Sequence, residues 1–224
     1  MERSPRVSLA TGVSSTFWTL LTAEPLAELS VLDVGTGTGR LALALAPHCR
    51  RVVGIDRDAD AIEEATRRAK SLGRVNVEFL VLDAEGPEDY DDLGDVGRPG
   101  FIVAHLCASD RIMQTSSRSL DPGRALAFVA FHTDQWRETG RRSRFAYDED
   151  RARRVLAECG FAVEHLEVEQ EIQRFDSVEA ALAAAVGLQE RWKSDGRWFH
   201  YMRFLEEGGR TLTRSHLIVK ARKV

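Results

Sequence analysis

The sequence predicts an α/β chain with a doubly wound, mostly parallel sheet, and three observations carry that prediction. Short runs rich in Val, Leu and Ile alternate with stretches of helical periodicity, the rhythm of a parallel sheet with right-handed crossovers. A glycine-dense turn, Gly35-Thr36-Gly37-Thr38-Gly39, stands between the first run and the first core helix. Three successive runs finish at or near an acid: Asp33, Asp56 and Asp83. In an open parallel sheet, ligands bind beyond the carboxyl ends of the strands, so these acids mark one edge as the candidate site.

Residues 1–30 read as a helical cap, with Phe17, Trp18, Leu20, Leu21 and Leu26 apolar and Pro25 interrupting any single helix. Val31–Val34 is the first strand, Leu41–Ala46 a buried helix and Arg51–Asp56 the second strand. In the next helix Ile62, Ala65, Ala69 and Leu72 share a face, Asp60 and Glu63 can form a capping box, and Gly73 sits where a terminating glycine belongs. Asn76–Asp83 is a third strand, followed by an acidic loop (Glu85, Glu88, Asp89, Asp91, Asp92, Asp95) read as solvated surface. Gly100–Leu106 is the fourth strand and Asp110–Leu120 a helix; Asp121-Pro122-Gly123 then reverses the chain into a fifth strand, Arg124–His132. The basic stretch Thr133–Tyr147, with Trp136 embedded, reads as a solvated loop. A helix over Asp148–Cys159 closes at Gly160 and leads into a sixth strand, Phe161–Glu169. Residues 177–209 form a helical insertion that carries the densest aromatics, and Thr211–Lys220 is the last strand.

Glycines at the first turn let the backbone reverse sharply and approach a ligand. The helix N-terminus behind it adds unpaired N–H groups suited to a carboxylate or phosphate. The dinucleotide fingerprint G-x-G-x-x-G needs a third glycine where this chain has Arg40. The pattern Asp33-x-Gly35-x-Gly37-x-Gly39 instead resembles motif I of the class I S-adenosylmethionine-dependent methyltransferases. Asp121-Pro122-Gly123-Arg124 is a close variant of the R-P-G-G turn that the same family has before its fifth strand.

The resemblance implies a Rossmann-like methyltransferase fold, with a seven-stranded sheet whose last strand is antiparallel. It implies a single domain: cap 1–30, cofactor-binding core 31–170, insertion 177–209 and last strand 211–220. The cofactor would be S-adenosyl-L-methionine, leaving as S-adenosyl-L-homocysteine. Asp33, Gly35, Thr36, Gly37 and Gly39 would cradle it. Asp56, with Arg57 beside it, would hold both ribose hydroxyls, and Asp83, with Ala84, the adenine amino group. His105 and Leu106 would lie beside the reacting methyl.

A sulfonium is a strong leaving group, so the protein mainly aligns donor and nucleophile and excludes water. A general base helps only where the nucleophile carries a proton of high pKa, and His105 and His132 are the candidates. Neither an N-P-P-Y motif nor the Pro-Cys of cytosine-C5 enzymes is present. A small-molecule acceptor is the first expectation. An RNA or protein acceptor, met by Arg137, Arg141, Arg142, Arg144, Arg151, Arg153 and Arg154, is the second. A non-catalytic cofactor-binding partner is a third, and an oxidoreductase the weakest.

The net charge of −4 supplies no general pull toward nucleic acid. No apolar run approaches the roughly 20 residues of a membrane span, and the N-terminus lacks the apolar core of a signal peptide. Cys49, Cys107 and Cys159 are odd in number and widely spaced. They suggest neither a disulfide framework nor a metal site, and fit a cytoplasmic setting. A homodimer is left open.

Overall fold

The computed structural model describes residues 12–86, 90, 93, 97–143 and 145–224. Their elements alternate as the sequence predicts: α1 (Ser15–Thr22), β1 (Ser30–Val34), α2 (Arg40–Leu45), β2 (Arg51–Asp56), α3 (Ala59–Ser71), β3 (Val77–Val81), β4 (Phe101–His105), α4 (Asp110–Ser119) and β5 (Ala125–Phe131). There follow α5 (Glu149–Glu158), β6 (Phe161–Arg174), α6 (Val178–Ala185), α7 (Gln189–Asp195), α8 (Arg197–Glu206) and β7 (Thr211–Lys223). One seven-stranded sheet has the order β3-β2-β1-β4-β5-β7-β6. Pairing is parallel from β3 through β5. Against β5 the last strand runs the other way: Lys223 N donates to Arg124 O, and His132 N donates to Ser215 O. The sheet is therefore mixed, and the fold is the Rossmann-like methyltransferase fold.

The described residues group into two compact units, one of 12–130, 149–167 and 218–224, the other of 131–148 and 168–217. In the larger unit β1 is buried at every position and β4 at all but its last. Such strands are apolar without alternation because helices cover both faces of a parallel sheet. Phe17 and Leu21 of α1 join Val31, Val103 and Ala127 in one core cluster. Burying each such large side chain contributes about 2 kcal/mol. Ser14 caps α1 by accepting from Phe17 N at 3.2 Å.

At α3 the start differs from expectation. Asp58 is the N-cap, its Oδ1 accepting from Asp60 N at 3.0 Å and Ala61 N at 3.2 Å. The chain turns into the helix two residues earlier than a capping box on Asp60 and Glu63 requires, because Asp58 is the first extended residue with a capping side chain beyond β2. The end is as expected: Gly73 at φ +62° donates to Lys70 O while Arg74 N donates to Ala69 O, a Schellman motif.

Strands β6 and β7 extend past their expected ends at Glu169 and Lys220. Residues 170–174 carry no buried side chain to signal a strand, and an edge position asks for hydrogen bonds on one side only. In the acidic loop Glu88, Asp89, Asp91, Asp92 and Asp95 lie outside the described residues. Tyr90 is not solvated: its N donates to Ser119 Oγ and its hydroxyl to Ala84 O, each at 2.8 Å.

The smaller unit corrects the reading of 133–147 as a solvated loop. Trp136, Gln135 and Thr139 are buried. Trp136 meets Trp192 edge-on at 5.3 Å, and Trp192 meets Tyr201 at 5.5 Å. These aromatics form a core with Ala181, Ala185 and Leu205, so the Trp136 ring is not offered to a nucleobase. Gly196, at φ +83°, separates α7 from α8. Among the described residues no helix is long and apolar enough to cross a membrane.

In the larger unit an ion cluster around the buried Lys220 ties the end of the cap to the last strand. Lys220 Nζ lies 2.5 Å and Arg222 Nη2 2.7 Å from Glu24 Oε1, and Glu164 pairs with Arg222. Burial pulls the Glu24 carboxyl upward, but hydrogen bonds from Arg222 and Lys220 outweigh it and leave the pKa below its usual value. A carboxylate held low stabilises the fold above its unfolded pKa, and that contribution is lost as pH falls through the folded pKa. Glu24→Gln leaves Lys220 buried with only Glu164 at 3.7 Å. Urea denaturation at neutral pH is expected to show a loss of about 3 kcal/mol, with the difference from wild type shrinking in acid.

Candidate active site

Asp33 builds the site. It is 1% exposed at the carboxyl end of β1. Its Oδ2 accepts from Thr36 Oγ1 at 2.7 Å and from Ala42 N at 3.1 Å. Ala42 is the third residue of α2, whose N-cap, Gly39, has no side chain to offer. Asp33 thus supplies from the preceding strand the capping acceptor that the helix start lacks. With only six residues, as the sequence predicts, α2 brings a weak dipole, and the turn's own amides carry more of the anion preference.

The glycines divide their labour. Gly35, Gly37 and Gly39 all have positive φ. At Gly39 an added Cβ would come within 2.7 Å of the Phe79 ring and 3.0 Å of Ala65 Cβ, so this glycine serves the close helix–sheet packing. At Gly37 an added Cβ would meet nothing, so the turn there faces open space.

A cavity of about 320 Å³ opens over the turn, lined by Asp33, Gly35, Thr36, Gly37, Thr38, Arg40, Leu41, Arg68 and His105. Asp56 reaches this group from the end of β2: its Oδ2 accepts from Gly37 N at 2.8 Å and its Oδ1 from Asp58 N at 3.0 Å. Each oxygen keeps a second lone-pair direction, the set of acceptors a vicinal diol needs. Arg57 is exposed. Asp83 lies two residues past Val81, the register partner of Asp56, and its Oδ1 accepts from Glu85 N at 3.0 Å. Ala84 offers its carbonyl to Tyr90.

His105 ends β4, its ring 6.0 Å from that of Phe17 and its Nδ1 3.4 Å from Arg40 Nη2. Leu106 follows at φ +63°, a strained conformation for a side chain of its size, with its N–H donating to Val129 O. Cys107 packs against Gly35, and its thiol donates to Val34 O at 2.9 Å. Burial pushes that thiol above its usual range, against a nucleophilic role. His132 belongs to the smaller unit, where its Nδ1 meets Asp134 N at 3.3 Å and Ser215 Oγ at 3.0 Å. Among the described residues no group of three His, Cys, Asp or Glu side chains could hold a metal ion.

The sequence reading passed over Arg40 and Arg68. Arg40 entered only as the residue that breaks the dinucleotide fingerprint, which was itself a signal of its place on the wall. Arg68 comes from α3, and nothing local marks it.

A family described as "Methyltransferase domain" matches residues 26–209. The chain belongs to this family. Over 99 residues it is 39% identical to the uncharacterized methyltransferase YcgJ of Bacillus subtilis strain 168, covering 44% of this chain and 39% of that protein. The crystal structure of B. subtilis YcgJ matches with a TM-score of 0.65 over 93% of this chain and 98% of that one, at 16% identity. A ubiquinone biosynthesis O-methyltransferase of Rhizobium johnstonii is 34% identical over 108 residues, 48% of this chain and 43% of that protein. The magnesium protoporphyrin IX methyltransferase of Synechocystis PCC 6803, solved with bound S-adenosylhomocysteine, has a TM-score of 0.62 at 16% identity, over 94% and 80% of the two chains. The matches to the two curated relatives span about two fifths of each relative's length.

Burial pushes the Asp33 carboxyl up to about 7, a rise to which the Asp56 charge adds and which the Thr36 and Ala42 hydrogen bonds and the Arg40 charge oppose. An acid whose folded pKa is raised costs stability as pH climbs from its unfolded value through the folded one. Asp33→Asn keeps an oxygen for Thr36 and Ala42 and removes the charge. Denaturation from pH 5 to 8 is expected to show the variant gaining on wild type as pH rises.

Proposed function

We propose that this chain transfers the methyl group of S-adenosylmethionine to a small-molecule acceptor. The observation that carries the reading is the Asp56 carboxylate, closed on the Gly37 amide at the mouth of the glycine turn, with a free lone-pair direction on each oxygen. When bound, the cofactor supplies the electrophilic methyl. The residues that would hold it are Gly35, Thr36, Gly37 and Gly39 around the turn, supported by Asp33; Asp56 with Arg57 at the ribose; and Asp83 with Ala84 at the adenine. His105 and Leu106 stand at the end of β4, where the acceptor would meet the methyl, and His132 follows β5. Preference for a small acceptor is supported by the net charge of −4 and by the burial of Trp136. Two of the relatives are named for ubiquinone biosynthesis and for magnesium protoporphyrin IX.

Calorimetry with S-adenosylmethionine and S-adenosylhomocysteine tests the reading. Wild type is expected to bind both. Asp56→Ala, which loses charge-assisted hydrogen bonds of about 2 kcal/mol, is expected to bind each about thirtyfold more weakly. Absence of binding by folded wild-type protein overturns the proposal.

A further inference from the structure

Two cations line the cavity, and they are differently engaged. Arg68 is bound to the turn, its Nη1 donating to Thr38 O at 2.8 Å and to Thr38 Oγ1 at 3.2 Å. Arg40 faces His105. Its guanidinium lies so close to Gly12 that a Cβ there would come within 2.5 Å of Nη1, and its Nη2 lies 3.4 Å from His105 Nδ1. A guanidinium has five N–H donors and no acceptor, and it stays charged at any working pH. In this contact Nδ1 is therefore the acceptor. A neutral imidazole with its lone pair on Nδ1 carries its proton on Nε2. A general base acting through Nε2 needs a lone pair on that atom, and this tautomer has none there.

We propose that Arg40 is a positioning residue that holds His105 in its Nε2–H form, so that His105 acts as a hydrogen-bond donor and not as a general base, and that the acceptor is a carboxylate. The proposal rests on the methyl-transfer reading above.

The chemistry closes without a base. A carboxylate ionises near pH 4 and arrives already charged, whereas a phenol holds its proton to about pH 10. As the carboxylate oxygen forms its C–O bond to the methyl, the C–S bond breaks and its electron pair stays on sulfur. One anion and one sulfonium become a neutral ester and a neutral thioether, and no proton has to be moved. Arg40 adds a positive field beside His105, at the end of β4 where the acceptor anion would arrive. His132 does not supply the missing base, because its Nδ1 likewise accepts from a backbone N–H, that of Asp134.

Long-range ¹H–¹⁵N correlation on the labelled protein reads the tautomer, with the His105 signals identified by their loss in His105→Gln. Wild type is expected to show an unprotonated Nδ1 and a protonated Nε2, and Arg40→Gln a shift toward mixed tautomers. A protonated Nδ1 in wild type overturns the proposal. Calorimetry with S-adenosylhomocysteine on the same samples separates the two readings. No binding sinks methyl transfer and this proposal with it, whereas binding with the wrong tautomer sinks this one alone.

In turnover, carboxylic acids are expected to be methylated in preference to the corresponding alcohols and phenols, with kcat/KM flat through neutral pH. His105→Gln places an amide N–H where Nε2–H stands. It is expected to restore most of what His105→Ala loses, remaining within about tenfold of wild type. A loss of about a hundredfold in the glutamine variant, an inflection in the histidine range, or a preference for alcohols overturns the proposal.

Discussion

One buried carboxylate sets the geometry on which the site depends. Asp33 sits inside the sheet at 1% exposure, and its bonds to Thr36 and Ala42 join the end of a strand, the middle of a turn and the first turn of a helix. An apolar residue there would leave the Thr36 hydroxyl and the Ala42 amide without acceptors in the interior, at about 1–3 kcal/mol each. A charged residue there is itself costly, which is why burial pushes its carboxyl up to about 7. The fold carries that strain at the point where the chain must present its backbone amides to a ligand.

Once the turn is fixed, the rest of the edge falls into place. Asp56 is reached through the Gly37 amide, and β3 brings Asp83 alongside by parallel register. The close approach of α3 to the turn depends on the absence of a side chain at Gly39, where Phe79 and Ala65 occupy the space. On the other side β4 ends at His105 and Leu106, the latter in a left-handed conformation that a leucine adopts only when its surroundings impose it. Cys107 then folds back onto Val34, so the chain leaving β4 stays tied to the last paired residue of β1.

The parts of this design that are local in sequence were legible there. The short, β-branched runs Val31–Val34 and Phe101–Ala104, bounded by turn residues, read as buried strands, and the spacing of Asp33 and three glycines identifies the turn. Gly73 announced a helix end by its own conformational freedom. Features that depend on partners distant in the chain were not legible. Trp136 reads as part of a basic loop until Trp192, 56 residues later, closes over it. Arg40 reads as a defect in one motif until His105 is brought beside it by β4. The residues after Glu169 carry no buried periodicity, because an edge strand is specified by its neighbour's hydrogen bonds and not by a face it buries.

The strand order carries a consequence for how the molecule behaves among copies of itself. Every open sheet has two edges whose unpaired amides and carbonyls can recruit another strand. Here one edge is β3, only five residues long, which offers a foothold too short for stable pairing. The other is β6, fourteen residues long and exposed over its last five positions. Along it Glu167, Glu169 and Glu171 stand at alternate positions and so project from one face. Two such edges laid side by side would bring rows of carboxylates together, and like charges across a strand pair are destabilising. The sheet is thus bounded by brevity at one end and by electrostatic repulsion at the other, which keeps a long exposed strand from templating its own aggregation.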